Sequence, residues 1–220
     1  FGRSNSSLLH LARPEFNGKK ILKVCTNGSS ELMTNLSSSL VSVLYSLQLI
    51  KIAGESGIAA YGVIMYVNFV FIAIYIGYSI GSAPIIGYHY GAENHQELKN
   101  LFRKSMVLIT ILGLSLTLVA EALAVPLSRV FVGYDAELLA LTVHAFRLFA
   151  LSFLITGINV FGSAFFTALN NGLVSAAISF LRTLLFQVAA IFLLPLILGT
   201  DGIWLAIVVA EMLTMVITII

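Results

Sequence analysis

Three of the ionisable side chains inside the long apolar runs of this 220-residue chain are candidates for chemistry: Glu31, Arg182 and Glu211. A charged group at the centre of a bilayer costs about 2.5–3.5 kcal/mol on insertion scales, and such groups usually mark an ion or proton path or a buried ion pair. A carboxylate can bind and release a proton or a metal cation, and a guanidinium can neutralise a carboxylate. These three residues are therefore the first candidates for a functional site.

Glu31 begins a polar stripe. Its members recur at steps of three and four residues, so they share one face of a helix. Because a carboxylate that faces lipid would be uncompensated, we expect the stripe to face the interior of a helix bundle or a second bundle. Ser and Asn also join membrane helices by hydrogen bonds, so a structural role is the alternative for the uncharged members. The stripe consists of Glu31, Asn35, Ser38, Ser42 and Tyr45.

Arg182 and Glu211 are predicted to form an ion pair. Arg182 follows Gly172 by ten residues, and Glu211 follows Ile203 by eight. At about 1.5 Å per residue, the two side chains lie roughly 15 Å and 12 Å from the starts of consecutive antiparallel helices and reach a similar depth. The sequence is equally consistent with a pair that only neutralises two costly charges and with a pair that takes part in transport.

Uncharged residues inside the runs are candidates to line a substrate cavity. Asn68 and Asn159 are polar groups in the middle of apolar runs, and three phenylalanines flank Gly162. Aromatic residues on membrane helices serve packing more often than ligand binding, which is the alternative for the phenylalanines. The substrate-cavity candidates are Ser38, Asn68, Asn159, Phe161, Phe165 and Phe166.

The 37 residues from Ser56 to Ala92 contain no Asp, Glu, Lys or Arg. The last third of this run carries Gly81, Pro84, Gly87 and Gly91. Proline frees a backbone carbonyl, and glycine presents no side chain. We therefore expect this helix to kink near the proline and to be approached closely by its neighbours at the glycines.

The composition excludes a soluble domain. The chain is 59% hydrophobic and 10% charged, whereas soluble domains carry about 25% charged residues. It has no phosphate-binding loop, no HExxH motif and no pair of aspartates inside an apolar run, and its four histidines and single cysteine lack the spacing of metal ligands. We therefore expect a polytopic membrane protein that is not an enzyme, with no metal site, no cofactor and no nucleic-acid partner.

The apolar runs that position these residues predict six helices, at about 21–50, 57–86, 105–125, 138–169, 174–198 and from 203 onward. Residues 3–23 and 93–104 together hold eight Lys and Arg, against two on the other side, Lys51 and Arg129. The positive-inside rule assigns the eight-bearing side to the cytoplasm. We expect a basic cytoplasmic linker at 1–20 and a six-helix transmembrane lobe at 21–220.

Five stretches in this order resemble one transporter family. They are NGSSE (27–31), APIIGYHYGA (83–92), GINVFGSAFFTALNNG (157–172), SFLRT (179–183) and GIWLAIVVAE (202–211). Together they resemble the C-terminal half of a bacterial multidrug and toxic compound extrusion (MATE) transporter. The resemblance implies an all-α protein of twelve transmembrane helices in two six-helix lobes. This chain would be the second lobe, with its last helix truncated and the N-terminal lobe missing, in the bacterial cytoplasmic membrane.

The resemblance also implies a function. MATE transporters export organic, often cationic compounds in antiport with Na⁺ or H⁺, and an acid in the first helix of the second lobe couples the two. Glu31 matches that acid, and Glu211 is the other candidate; Asn35 and Arg182 complete the predicted ion-coupling set. Membrane lipid, the other lobe and small organic substrates are the implied partners. The alternatives are a flippase for lipid-linked saccharides of the same superfamily and a membrane scaffold that transports nothing.

Overall fold

The computed structural model describes residues 16–219, without the side chain of Ser30. Most of the predicted linker at 1–20 therefore lies outside the described residues. The described part consists of helices joined by short turns and contains no strand. Its elements are α1 (Gly18–Gly91), α2 (His95–Val132), α3 (Ala136–Ala150), α4 (Phe153–Ala168), α5 (Gly172–Phe180), a π-helical segment (Leu181–Phe186), α6 (Gln187–Leu198) and α7 (Thr200–Ile219).

Helix α1 is two membrane spans joined at a sharp break. Gly54, at φ 62° and ψ −155°, is the one residue of α1 with non-helical dihedral angles. Only glycine reaches this conformation without strain, so a single residue separates a first arm (residues 18–53) from a second arm (residues 55–91). The dihedral angles stay helical at Pro84, and Gly54 was not among the positions that the sequence singled out.

The six predicted spans are present. Four helices are long and apolar enough to cross a membrane, and α3 with α4 forms a fifth span that is bent by 46°. The break at Gly54 divides the longest of these helices and brings the number to six. Helix α2 begins ten residues before the predicted apolar run at 105, because Asn94 caps its polar first turn by accepting a hydrogen bond from the backbone N–H of Glu97.

Large side chains fill the interior of the bundle. Trp204, Tyr75, Phe146, Phe149 and Phe153 are at most 1% exposed. Many Leu, Ile, Val and Phe side chains on the outer surface are exposed, as is expected of a surface that contacts lipid.

Glycines permit close helix contacts, but at positions other than those expected. A Cβ at Gly172 would collide with the backbone of Thr26 and Asn27 in the first arm of α1. A Cβ at Gly81 or Gly91 would meet no atom within 4 Å, and one at Gly87 would only touch the Ala168 carbonyl at 3.8 Å. The close approach that we expected at Gly81 and Gly91 therefore does not occur within this lobe.

Candidate functional site

A cavity of about 180 Å³ lies between both arms of α1, the π-helical segment and α7, with one lining residue each from α3, α4 and α6. We call it the ion-pair cavity. It contains six residues that the sequence singled out, namely Ser38, Ser42, Tyr45, Asn68, Arg182 and Glu211. Its polar lining is made up of Ser38, Ser42, Tyr45, Tyr61, Asn68, Thr156, Arg182, Thr183, Gln187 and Glu211.

The predicted ion pair between Arg182 and Glu211 is confirmed. Arg182 Nε lies 3.0 Å from Glu211 Oε1 and 3.2 Å from Oε2. The side chains are 13% and 5% exposed, so both charges are largely shielded from solvent and lipid. Removing two charges from water is costly, and the pair persists only because geometry and further hydrogen bonds compensate each charge.

Asn159 supplies those further hydrogen bonds. Its Nδ2 donates to Glu211 Oε2 at 2.6 Å and to the Glu211 carbonyl at 2.9 Å. Thr218 in turn donates to Asn159 Oδ1 at 3.2 Å, which fixes the orientation of the amide. The sequence predicted that Asn159 would line a substrate cavity. It is fully buried instead and does not line the ion-pair cavity, and its hydrogen bonds position Glu211.

The π-helical segment explains how Arg182 and Gln187 come to line one cavity. They are five residues apart, which in an α-helix corresponds to about 1.4 turns and would point the side chains roughly 140° away from each other. A π-helix closes its hydrogen bonds between residues i and i+5, so residues five apart lie on the same side. The wider turn at Leu181–Phe186 thus gives the cavity a second polar group from the same helix. Such turns frequently occur at functional sites.

Two tyrosines form an aromatic wall of the ion-pair cavity. The rings of Tyr45 and Tyr61 are stacked, with centroids 4.6 Å apart. The hydroxyl of Tyr45 donates to the backbone carbonyl of Ile203 at the start of α7. This bond ties the first arm of α1 to the helix that carries Glu211.

Glu31 lies in a different cavity, of about 380 Å³, which we call the Glu31 cavity. Glu31 is exposed, and none of the described residues forms a hydrogen bond or ion pair with its carboxylate. Ser38, seven residues further along, is two helical turns or about 10.5 Å away on the same face. Exposed Asn35 lies between them, so the predicted stripe connects the two cavities. The polar lining of the Glu31 cavity is Asn27, Glu31, Ser79, Thr167 and Asn170.

The three phenylalanine candidates line neither of these cavities. Phe161 is 1% exposed and belongs to the core. Phe165 contacts Phe102 with ring centroids 5.0 Å apart, and Phe166 contacts Phe165 edge-on at 6.4 Å. These rings pack helices together, which is the alternative role considered from the sequence.

Two further ion pairs lie on the surface of the lobe. Arg147 Nε is 3.7 Å from Glu121 Oε2, and His144 Nε2 is 2.8 Å from Asp201 Oδ1. All four side chains are more than a third exposed, so solvent screens these pairs strongly. Glu121 was not singled out from the sequence, although it is an acid inside a predicted apolar run and that signal was present.

No group of three or more His, Cys, Asp or Glu side chains that could hold a metal ion occurs within residues 16–219. The fold and the spans are those of a polytopic membrane protein. The family model described as MatE matches residues 32–193, so this chain belongs to the MatE family. Members of this family are transporters.

Solved structures of MATE transporters share the fold. The outward-facing conformation of a multidrug resistance MATE family transporter of the MOP superfamily is 20% identical, with a TM-score of 0.86, and the match covers 96% of this chain and 48% of that one. The inward-facing conformation of such a transporter is 21% identical, with a TM-score of 0.80 over 92% of this chain and 47% of that one.

A third similar structure is a MOP superfamily transporter from Pyrococcus furiosus Vc1, for which a reversed polarity of the binding pocket suggests a different function. It is 22% identical, with a TM-score of 0.83 over 92% of this chain and 46% of that one. The chain therefore spans about half the length of the solved transporters that it matches. A search of curated proteins finds no match.

Proposed function

We propose that this chain is the C-terminal lobe of a secondary active multidrug efflux transporter. The transporter exports amphipathic organic compounds, often cationic, in antiport with Na⁺ or H⁺, across a bacterial cytoplasmic membrane. The observation that carries this proposal is a shielded ion pair at the wall of a cavity between the spans of a MatE family lobe. An N-terminal lobe completes the path, because the chain covers about half of the transporters it matches.

Glu31 is the proposed coupling residue. Its carboxylate is accessible in the Glu31 cavity and has no partner among the described side chains. Glu211, in contrast, already accepts hydrogen bonds from Arg182 and Asn159, so an incoming cation would have to displace one of them. Of the two acids, Glu31 therefore offers the lower barrier to binding a proton or Na⁺.

Coupling requires that ion occupancy at Glu31 favours one access state over the other. A ligand that binds both states equally shifts no population, however tightly it binds. The stripe from Glu31 through Asn35 to Ser38 links the acid to the ion-pair cavity, so ion binding and substrate binding share one helix face. Rearrangement of the first arm of α1 between the two access states would couple ion binding at Glu31 to substrate binding in the ion-pair cavity.

The test compares Glu31→Gln with Glu121→Gln in the full-length protein, reconstituted in liposomes with imposed pH and Na⁺ gradients. Glu31→Gln is expected to abolish gradient-driven efflux of an amphipathic organic dye without reducing membrane insertion. Glu121→Gln changes a half-exposed surface glutamate and is expected to transport as the wild type does. Wild-type efflux by Glu31→Gln, with unchanged dependence on both gradients, would show that Glu31 is structural. A wild-type protein that moves no organic compound would refute the transporter proposal itself.

A further inference from the structure

The terminal edge of the Arg182 guanidinium, formed by Nη1 and Nη2, takes no part in the ion pair with Glu211. Arginine carries five N–H donors. Within residues 16–219 the hydrogen bonds of Arg182 involve only Nε–H, shared between the two carboxylate oxygens of Glu211. The four N–H donors on Nη1 and Nη2 have no described acceptor, although Arg182 lines the ion-pair cavity. A largely shielded cation thus presents its outer edge to the cavity.

Neutral polar groups accompany this edge. Gln187, placed on the same side by the π-helical segment, makes no side-chain hydrogen bond with the described residues, and neither does Ser38. Asn68 has only a contact of 4.0 Å from Nδ2 to the sulfur of Met65, which is at the limit of a weak hydrogen bond. The cavity therefore contains several donors and acceptors that a ligand can satisfy, and its single uncompensated charged edge is positive.

The chemistry of this edge selects a ligand class. A guanidinium is planar, stays protonated and matches the two oxygens of a carboxylate or phosphate with parallel hydrogen bonds. Glu211 does not compete for the terminal nitrogens, because it is bound through Nε and held by Asn159. The carboxylate thus orients the guanidinium, and the outer edge remains available.

We propose that the ion-pair cavity binds a carboxylate or phosphate group of the transported compound on the terminal edge of Arg182. Gln187 and Asn68 supply neutral hydrogen bonds to the same group, and the ring of Tyr61 contacts the apolar part beside it. A cavity of about 180 Å³ holds a charged group and a ring at most, so the remainder of the compound extends toward the other lobe. The proposal rests on the proposed function and narrows its substrates to acidic or zwitterionic amphipathic compounds.

The experiment measures equilibrium binding of two matched dyes to the full-length protein in detergent. Rhodamine 110 has a free carboxyl group, and rhodamine 123 is its methyl ester. The wild type is expected to bind rhodamine 110 about 10-fold or more tightly than the ester, as a charge-assisted hydrogen-bonded pair implies. Equal affinity for the two dyes would overturn the proposal.

Variants assign the preference to Arg182. Glu211→Gln keeps the guanidinium and removes its anionic partner, so the preference for rhodamine 110 should persist or increase. Combining it with Arg182→Gln should reduce the affinity ratio to about 1. A preference that survives in the double variant would refute the assignment. If the double variant does not fold, Arg182→Lys replaces it, since lysine lacks the planar edge and should lower the preference.

A control pair and two competitors complete the test. Arg147→Gln with Glu121→Gln removes the exposed arginine–glutamate pair and, like the Arg182 and Glu211 double variant, leaves the net charge unchanged. The preference should persist in this control, and a loss there would show that the preference does not depend on the cavity. Competition by dodecanoate and by dodecyl phosphate distinguishes a carboxylate from a phosphate ligand, and failure of both to compete would contradict the proposal. Because binding is measured without a gradient, its failure is distinguishable from a failure of transport.

Discussion

Removing only the arginine charge of the buried pair should destabilise the lobe more than removing both charges. Arg182→Gln leaves the Glu211 carboxylate, which is 5% exposed, with Asn159 as its remaining side-chain donor. Breaking a buried pair on one side typically costs about 3–5 kcal/mol, because an uncompensated charge remains. Glu211→Gln should cost less, because the arginine edge already faces the cavity. In the double variant both charges are gone, and the cost should fall below that of Arg182→Gln alone.

A double-mutant cycle on the full-length protein measures this directly, by titrating reversible unfolding with sodium dodecyl sulfate in mixed micelles. The expected coupling free energy between Arg182 and Glu211 is about 2 kcal/mol or more. The matched control is the pair of Arg147 and Glu121, which is 55% and 37% exposed and should show coupling of about 0–1 kcal/mol. Additive effects at Arg182 and Glu211 would refute the claim that the two charges compensate each other.

Two further predictions concern topology and packing. Cysteines placed at Asn94 and at Asp135, in a background without the exposed Cys25, should be labelled from opposite sides of the membrane, since α2 between them has 38 residues and is about 57 Å long; labelling from the same side would overturn the orientation. Gly172→Ala should destabilise the lobe by about 1–3 kcal/mol, because the added methyl collides with the backbone of the first arm of α1. In the control Gly81→Ala the added methyl meets open space, so the free energy of unfolding should change by less than about 1 kcal/mol. Equal effects of the two substitutions would contradict the close contact of Gly172 with α1.

The sequence alone predicted the features whose energetic cost or gain is large and depends on nearby residues, namely the buried charges and the apolar spans. A charge inside an apolar run is costly wherever the helix sits, so matched depth alone identified Arg182 and Glu211 as partners. Hydropathy located all six spans, but it marks the apolar centre of a helix and not its ends, and α2 accordingly extends beyond its predicted run at both ends.

Other features depend on how helices meet and could not be read from one sequence. The break at Gly54 lies in a short polar connection where any of several residues could have interrupted the helix, whereas Pro84 was the more conspicuous breaker. Likewise, nothing in the spacing of Asn159 indicates that its amide turns inward to Glu211 on another helix. The glycines that allow close contacts differ from the others only in what lies opposite them.

The π-helical segment has a consequence for insertions and deletions. It holds one more residue per turn than the α-helical segments on either side, so it behaves as a single-residue insertion that the helix absorbs without a loop. Deleting one residue between Arg182 and Gln187 would restore α-helical pairing and leave the two side chains four residues apart, about 40° from each other, so both would still face the ion-pair cavity. If instead the segment kept its length and became α-helical, α6 would turn by about 100° relative to α5. A relative that lacks one residue here therefore keeps the same polar pair in the cavity, and its sequence aligns with this one only through a gap of one residue in this segment.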